Sequence, residues 1–328
     1  GDPMKRTNRP KTCLKTLILA ALGAVLCTAS IVHAETRVTY KSAKSTSSYY
    51  QMAVQIAEAM KAGSGGDIIV TVEESQGSVQ NVKEVANRGG NYVFTTPPAL
   101  VKLAQGGEKM FKDANPNYQN IRSLFVIPAL TMHLVVRADS GVEQFADLAG
   151  KKFLIGKGSF GAREAAKYIE LFGLKDKVDL IDVELNAAVA ALKNGQIDGF
   201  ATAGSYPAPN VIEAAAGTAI RLISLSEEQV AETKRSRLVI PAGTYPGVDQ
   251  DVITTSLPVG AYTTTEMDED LAYQLTKTFW EQKAAMGKSG AWWDAVTTDG
   301  LGSLGGKLHA GALKYYQEAG VTVPEHLR

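Results

Sequence analysis

Short runs of β-branched and aromatic residues alternate along this chain with segments in which apolar residues recur every three or four positions. The short runs predict strands at residues 36–40, 68–72, 92–95, 123–127, 133–137, 152–155, 178–183, 196–201, 220–225 and 257–263. The longer segments predict helices at residues 47–61, 78–85, 162–172, 187–193 and 269–286. Because strands and helices alternate, the pattern predicts an α/β fold with largely parallel sheets.

The loops after the predicted strands carry small hydroxyl-bearing residues and glycines. In parallel α/β sheets ligands bind beyond the carboxyl ends of the strands, where we expect residues 41–48, 75–78, 95–98, 156–161 and 202–209. A Ser or Thr at a helix start is also a common N-cap, so capping explains any single one of them. Four such starts in successive loops predict a cradle for an oxyanion. The candidate ligand-binding residues are Lys44, Thr46, Ser47, Ser48, Tyr49, Ser78, Thr95, Thr96, Ser159, Phe160, Gly161 and Arg163.

A glycine-rich turn at residues 156–161 has the spacing of a dinucleotide-binding motif, and Asp182 follows at a suitable distance. That interpretation is disfavoured, because residues 4–34 have the features of an export signal and an exported protein has no ready supply of nicotinamide cofactor. The free N–H groups at a helix start attract any anion, so a carboxylate fits equally well. A plain strand-to-helix turn is the third interpretation.

Basic residues near these loops support the anion hypothesis. Arg163 falls in the first turn of a predicted helix, where the helix dipole disfavours a cation, so a bound carboxylate would explain it. A solvent-facing arginine is the alternative. Lys41 and Lys44 in the first loop could also reach an anion.

The sequence from residue 35 onward offers no arrangement typical of catalysis or metal binding. Its three histidines, His133, His309 and His326, lack the spacing of metal ligands. It contains no nucleophile elbow, P-loop or zinc-protease motif. We therefore expect no enzyme activity, no catalytic residue, no metal site and no cofactor.

The first 34 residues have the features of an export signal. Residues 1–3 precede Met4 and are interpreted as a cloning remnant. Residues 4–34 contain a cationic start, an apolar run and a small-residue end, which predict a signal peptide cleaved before Glu35. Cys13 and Cys27 would leave with it, and lipid attachment at Cys27 is disfavoured because a leucine precedes it.

Size and charge limit what the processed chain is expected to be. Cleavage before Glu35 would leave 294 residues, which is large for a single core and predicts two lobes. Five of the 34 basic and one of the 34 acidic residues precede Glu35, so 29 and 33 would remain. This slightly acidic balance disfavours nucleic acid or an anionic membrane as partner.

The segment Ile-Pro-Ala-Gly-Thr-Tyr-Pro-Gly at residues 240–247 is the most distinctive motif of the chain. Together with segments at residues 48–50, 73–81, 133–137, 145–151 and 195–198, it resembles the TAXI class of solute receptors, which serve tripartite ATP-independent periplasmic (TRAP) transporters. The resemblance extends over about residues 36–316.

The resemblance implies a type II periplasmic-binding-protein fold, in which two α/β lobes are joined by two crossings and hold the ligand in the cleft between them. Lobe 1 would comprise residues 35–138 and 255–328, and lobe 2 residues 139–254. It further implies a periplasmic monomer that delivers a small C5 organic acid to a TRAP permease. A receptor for an ABC importer, which uses the same fold, and a periplasmic enzyme are the alternatives.

Three departures from the TAXI pattern fall in the predicted ligand loops. The first loop, residues 41–47, is not rich in glycine, and residues 158–161 differ from the usual Gly-Ser-Gly-Thr. Residues 96–98 are Thr-Pro-Pro, where many members have Gln-Ala-Asp. Since an amino group needs a buried acceptor and this loop lacks the carboxylate, a keto acid such as 2-oxoglutarate is expected over glutamate.

Overall fold

The computed structural model describes residues 34–328. The expected cloning remnant, the two cysteines and all of the expected signal peptide except Ala34 lie outside these residues. Over residues 34–328, no helix is both long enough and apolar enough to cross a membrane.

Ten strands and ten α-helices alternate along the described residues, which confirms the predicted α/β class. The strands are β1 (Thr36–Lys41), β2 (Ile68–Glu73), β3 (Tyr92–Thr96), β4 (Ile121–Arg137), β5 (Lys152–Leu154), β6 (Asp179–Ile181), β7 (Gly199–Gly204), β8 (Ile220–Leu222), β9 (Ser236–Ile240) and β10 (Val252–Thr264). The helices are α1 (Ser48–Gly63), α2 (Ser78–Lys83), α3 (Pro98–Gly106), α4 (Phe160–Leu171), α5 (Ala188–Lys193), α6 (Pro209–Gly217), α7 (Glu227–Thr233), α8 (Glu269–Met286), α9 (Trp292–Ala295) and α10 (Ala310–Glu318).

All ten strands join one sheet, whose main order is β2-β1-β3-β10-β4-β7-β5-β6. Parallel pairing occurs at its two ends, between β1 and each of β2 and β3, and between β5 and each of β6 and β7. Every pair that includes β4 or β10 is antiparallel. The expectation of largely parallel sheets therefore holds only at the two ends.

The long strands β4 and β10 connect the two parallel ends. The first part of β4 pairs with β10, and its last part, residues 131–136, pairs with β7. The prediction of two separate strands around Pro128 is wrong, because one strand runs through it. The register of the β4–β10 pair shifts at Pro128 and Pro258, and proline, which has no N–H to donate, is tolerated at such an irregularity.

Buried apolar side chains form two clusters against this sheet. The larger cluster holds α1 and α8 on the β1–β3 end, and Phe125 of β4 stacks on Phe279 of α8 with ring centroids 3.9 Å apart. The smaller cluster includes Phe200 of β7 and Tyr245 at the other end. These contacts fix the helix starts relative to the strand ends, which is where a ligand site is expected.

Candidate functional site

A small cavity, here called the cleft cavity, lies where the loops after β1 and β2 and the end of β3 meet the loops after β5 and β6 and the end of β7. Its volume is about 40 Å³, enough for a carboxylate-sized group or about three water molecules. The first wall consists of Ser42, Ala43, Lys44, Ser47, Tyr49, Gln76, Gly77, Ser78 and Thr95. The second wall consists of Ser159, Phe160, Gly161, Leu185 and Ala203, and Leu130 of β4 lies between the walls.

Helix α1 begins at the first wall. The Ser47 hydroxyl caps it by accepting a hydrogen bond from the Tyr50 amide at 3.2 Å. Burial of the apolar stripe from Met52 to Met60 anchors the helix on the sheet. The amides of Ser48 and Tyr49 precede the first bond of the helix and have no backbone acceptor within residues 34–328. The first wall therefore presents unpaired N–H groups, which favour negative charge.

Helix α4 begins at the second wall in the same way. The Ser159 hydroxyl accepts from the Ala162 amide at 3.0 Å and donates to the Gly156 carbonyl at 2.6 Å. Both bonds commit this hydroxyl to the turn, so capping accounts for Ser159. The amides of Phe160 and Gly161 precede the first bond of the helix and supply the donors of this wall.

The three glycines of the 156–161 turn have separate structural reasons. Gly156 and Gly158 have φ angles of +81° and +76°, a region that favours glycine. A Cβ at Gly158 would lie 2.2 Å from the Gln76 side chain of the first wall, and a Cβ at Gly161 would lie 3.1 Å from Ala203 of β7. The glycines thus allow the turn to approach Gln76 of the first wall and allow α4 to pack closely on β7.

The hydroxyl groups of the first wall differ in their availability. Ser78 lines the cleft cavity, and its hydroxyl has no hydrogen-bond partner within the described residues. Thr95 Oγ1 already accepts from Ser42 Oγ at 2.9 Å, and the Tyr49 hydroxyl donates to the Pro128 carbonyl at 2.7 Å. Ser78 is therefore the hydroxyl of this wall most open to a ligand.

Lys44 is the one charged residue in the lining of the cleft cavity, as far as the described residues extend. Its Nζ lies 2.6 Å from Oε2 of Glu184, and Oε1 of the same carboxylate accepts from Gln76 Nε2 at 3.3 Å. Hydrogen bonds from Lys44 and then Gln76 hold the pKa of Glu184 below its ordinary value. Lys41, the other candidate cation of the first loop, is buried and paired with Glu84.

Eight of the twelve predicted residues line the cleft cavity, and four do not. The Thr46 hydroxyl is buried in the same loop and has no partner within the described residues. Ser48 lines a neighbouring cavity, and the Thr96 hydroxyl donates to the Pro97 carbonyl. The Arg163 side chain is exposed and lies outside the cavity lining, which agrees with the solvent-facing alternative.

Sequence reasoning missed several residues that line the cleft cavity. Gln76 and Gly77 lie in the predicted ligand loop 75–78, where Ser78 is the predicted binding residue. Leu130, Leu185 and Ala203 come from three other segments, and an apolar residue in a strand or loop carries no sequence signal for a ligand site. Only the packing of the two walls brings these residues to the cavity.

Two of the motifs quoted above meet in the structure through a buried hydrogen-bond chain. Tyr245 accepts from the Ala208 amide at 2.7 Å, so its own proton is donated to His133 Nε2 at 2.6 Å. The ring proton of His133 is then on Nδ1, which donates to the Thr131 carbonyl at 3.0 Å. Burial lowers the pKa of His133 to about 4, so the ring is neutral. This chain ties residues 240–247 and the loop after β7 to β4.

The sequence pattern of the NMT1-like family matches residues 41–320. This span covers more than half of the chain and includes both walls of the cleft cavity. The chain therefore belongs to the NMT1-like family, which is of the periplasmic solute-binding type, and it has the periplasmic-binding-protein fold.

Solved structures are similar to this chain at low sequence identity. A protein from Bordetella bronchiseptica RB50 is 17% identical over 89% of this chain and 86% of its own, with a TM-score of 0.50. The alkanesulfonate-binding protein SsuA from Xanthomonas axonopodis pv. citri, bound to MOPS, is 16% identical over 88% and 81%, with a TM-score of 0.46. A TRAP periplasmic solute-binding protein from Actinobacillus succinogenes 130z, with bound L-galactonate, is 16% identical over 88% and 87%, with a TM-score of 0.44. At these identities the likeness concerns the fold alone.

Proposed function

We propose that this chain is a periplasmic receptor that captures a small organic acid in the cleft cavity. One observation carries the proposal: two helix N-termini open onto this cavity from opposite walls, and no acidic side chain of the described residues lines it. The helices are α1 of 16 residues and α4 of 12 residues. Because helix N-termini favour anions, a carboxylate can be bound at each wall.

The two walls are proposed to belong to two lobes that move relative to each other. Lobe 1 would comprise residues 35–138 and 255–328, and lobe 2 residues 139–254. The strands β4 and β10 would form the hinge, since β10 pairs with β3 of one parallel end, β4 pairs with β7 of the other, and the two strands pair with each other. Differential contact of the ligand with the closed arrangement would then drive closure.

The ligand is proposed to be a C5 dicarboxylate, with 2-oxoglutarate preferred over glutamate. Two carboxylates would match the two helix starts. The cavity lining offers an α-ammonium group no carboxylate partner, and an unpaired buried ammonium is costly. A keto oxygen, in contrast, can accept a hydrogen bond from the free Ser78 hydroxyl.

A whole C5 acid needs more room than about 40 Å³. The walls must therefore separate from their present spacing to admit it. Lys44 would then exchange its contact with Glu184 for one with the ligand, because both carboxylates compete for the same ammonium group.

The partner is proposed to be a TRAP permease, and the site to be non-catalytic. The TAXI resemblance of residues 240–247 supports the permease, and the signal-like residues 4–34 support export to the periplasm. An enzyme in the same cleft would change its ligand, whereas a receptor returns the ligand unchanged.

Calorimetric titration with 2-oxoglutarate and L-glutamate tests this proposal. We expect one acid per chain, with tighter binding of 2-oxoglutarate. Recovery of the acid after prolonged incubation, analysed by NMR, should show no chemical change. Failure of both acids to bind would refute the C5 assignment, and turnover of either would refute the receptor.

A further inference from the structure

A second and larger cavity, here called the side cavity, lies beside the cleft cavity and has a volume of about 520 Å³. Small-molecule sites in proteins typically measure roughly 300–1,000 Å³ and are mostly apolar. Its walls come from the side of α1, from β4, from the loop after β7, from β9 and from the segment around α9. Neighbouring residues separate it from the cleft cavity: Ser47 lines the cleft cavity and Ser48 the side cavity.

The lining of the side cavity is mostly apolar and carries no charge. None of its fourteen lining residues is Asp, Glu, Lys, Arg or His. Met52, Pro128, Ala129 and Leu238 are among the apolar contributors. A charged group placed here would lose its hydration without gaining a counterion, so the lining selects against ions.

An aromatic surface is held in place at this cavity. Trp292 lines it and stacks on the buried Trp293, with ring centroids 4.1 Å apart and planes inclined by 24°. Both indole N–H groups donate to Oε1 of Gln55 at 2.9 Å, and the Gln55 amide donates to the Ser289 carbonyl. These bonds fix the Trp292 ring before any ligand arrives, and a fixed aromatic ring is a favourable stacking partner for another ring.

The Ser48 hydroxyl in the lining is available as a hydrogen-bond donor, and Thr131 Oγ1, also in the lining, has no partner within the described residues. Ser48 Oγ accepts from the Ser205 amide at 3.0 Å, which leaves its own proton free to donate. A Cβ at Gly204 would lie 2.8 Å from Ser48 Oγ, so this contact depends on the glycine. The bond joins the start of α1 to the end of β7 and helps to form the wall between the two cavities.

We propose that the side cavity is a second binding site, which takes an uncharged small molecule with a ring and a hydrogen-bond acceptor. The ring would lie against Trp292 and the apolar lining, and the acceptor would receive the Ser48 proton. This site is distinct from the proposed acid site, so failure of 2-oxoglutarate to bind would leave it intact.

The test uses benzyl alcohol as probe and benzoate as its matched anion, with tryptophan fluorescence and calorimetry as readouts on residues 35–328. We expect saturable binding of benzyl alcohol. We expect benzoate to bind the side cavity at least about tenfold more weakly, because it lacks a counterion there. Ala129→Phe places a ring inside the cavity and should weaken benzyl alcohol at least about tenfold.

Two further variants keep the result interpretable. Ala295→Phe fills the same cavity from an exposed position and replaces Ala129→Phe in the test if that variant does not fold. It should weaken benzyl alcohol binding to the same extent. Ala216→Phe, at an exposed position on α6 outside the cavity, should leave binding unchanged. Absence of saturable benzyl alcohol binding would overturn the inference, and so would unchanged benzyl alcohol affinity in a cavity-filling variant that folds. The third contradicting result is benzoate binding that is as tight as benzyl alcohol binding and is lost in the filling variants.

Discussion

The cleft cavity and the side cavity are neighbours with opposite chemistry. The cleft cavity measures about 40 Å³, receives two helix N-termini and contains Lys44, whereas the side cavity measures about 520 Å³ and has no charged lining residue. A single helix contributes to both: α1 directs its terminal amides to the first and the side chains of Met52 and Gln55 to the second. The comparison shows how one element can favour an anion at its end and a neutral group along its side.

Filling each cavity separately should produce the largest effects. Ser78→Val occupies the cleft cavity and removes its free hydroxyl, so 2-oxoglutarate affinity should fall about 100-fold or more while benzyl alcohol binding persists. Ala129→Phe should give the reverse result. Titration of both variants with both compounds checks this, and a variant that loses both ligands while still folded would show that the two cavities are one site.

Acidification should lower the free energy of unfolding through His133, whose hydrogen-bond chain joins β4 to the loop after β7 beside the side cavity. Because burial lowers the pKa of His133 to about 4, the unfolded chain binds a proton below about pH 6.5 and the folded chain does not. The contribution of His133 to stability should therefore fall by about 2 kcal/mol between about pH 7 and pH 5. Urea unfolding of the wild type and of His133→Gln at both pH values measures it, and equal pH slopes would contradict the assignment.

Removing one hydroxyl from the same chain should lower stability at neutral pH. Tyr245→Phe leaves the Ala208 amide and His133 Nε2 without partners, which should cost about 1–3 kcal/mol of unfolding free energy. Tyr206→Phe is the control, since Tyr206 lines the side cavity but has an exposed side chain. Equal unfolding midpoints for the two variants would show that the chain of bonds contributes nothing measurable.

Replacing Glu184 should have the smallest effect and should sharpen the anion assignment. Glu184→Gln removes the carboxylate that competes with the ligand for Lys44, so acid binding should tighten by about two- to fivefold at low salt. The pair is partly exposed, which limits the effect. Calorimetry at low and high salt checks this, and weaker binding would mean that the pair instead stabilises closure of the walls.

Sequence reasoning predicted the elements with strong periodicity well. The helix predicted at residues 269–286 matches α8 (Glu269–Met286), because its apolar face and acidic first turn are local signals. The elements that the pattern does not predict include strand β9 and helices α6, α7 and α10, and the predicted break at Pro128 divides β4. The division follows from treating proline as a strand end, whereas an irregular register with β10 accommodates it.

The candidate site was predictable only in part. Capping signatures identified Ser47 and Ser159, which cap α1 and α4. The same signature also predicts Ser78 as a cap, which is wrong, because Gly77 occupies the N-cap position of α2. The pairing of Lys44 with Glu184 could not be predicted, because 140 positions separate the two residues along the chain. The side cavity could not be predicted for the same reason. Met52, Ala129 and Trp292 come from three distant segments, and their apolar residues cannot be distinguished in the sequence from residues of the hydrophobic core.

Titration of residues 35–328 with 2-oxoglutarate, repeated on Ser78→Val and Ala129→Phe, tests the central claim most directly. The account predicts one acid bound per chain, binding that is lost in Ser78→Val, and binding that is retained in Ala129→Phe. Retained affinity in Ser78→Val, or no binding of either 2-oxoglutarate or L-glutamate to the wild type, would contradict it.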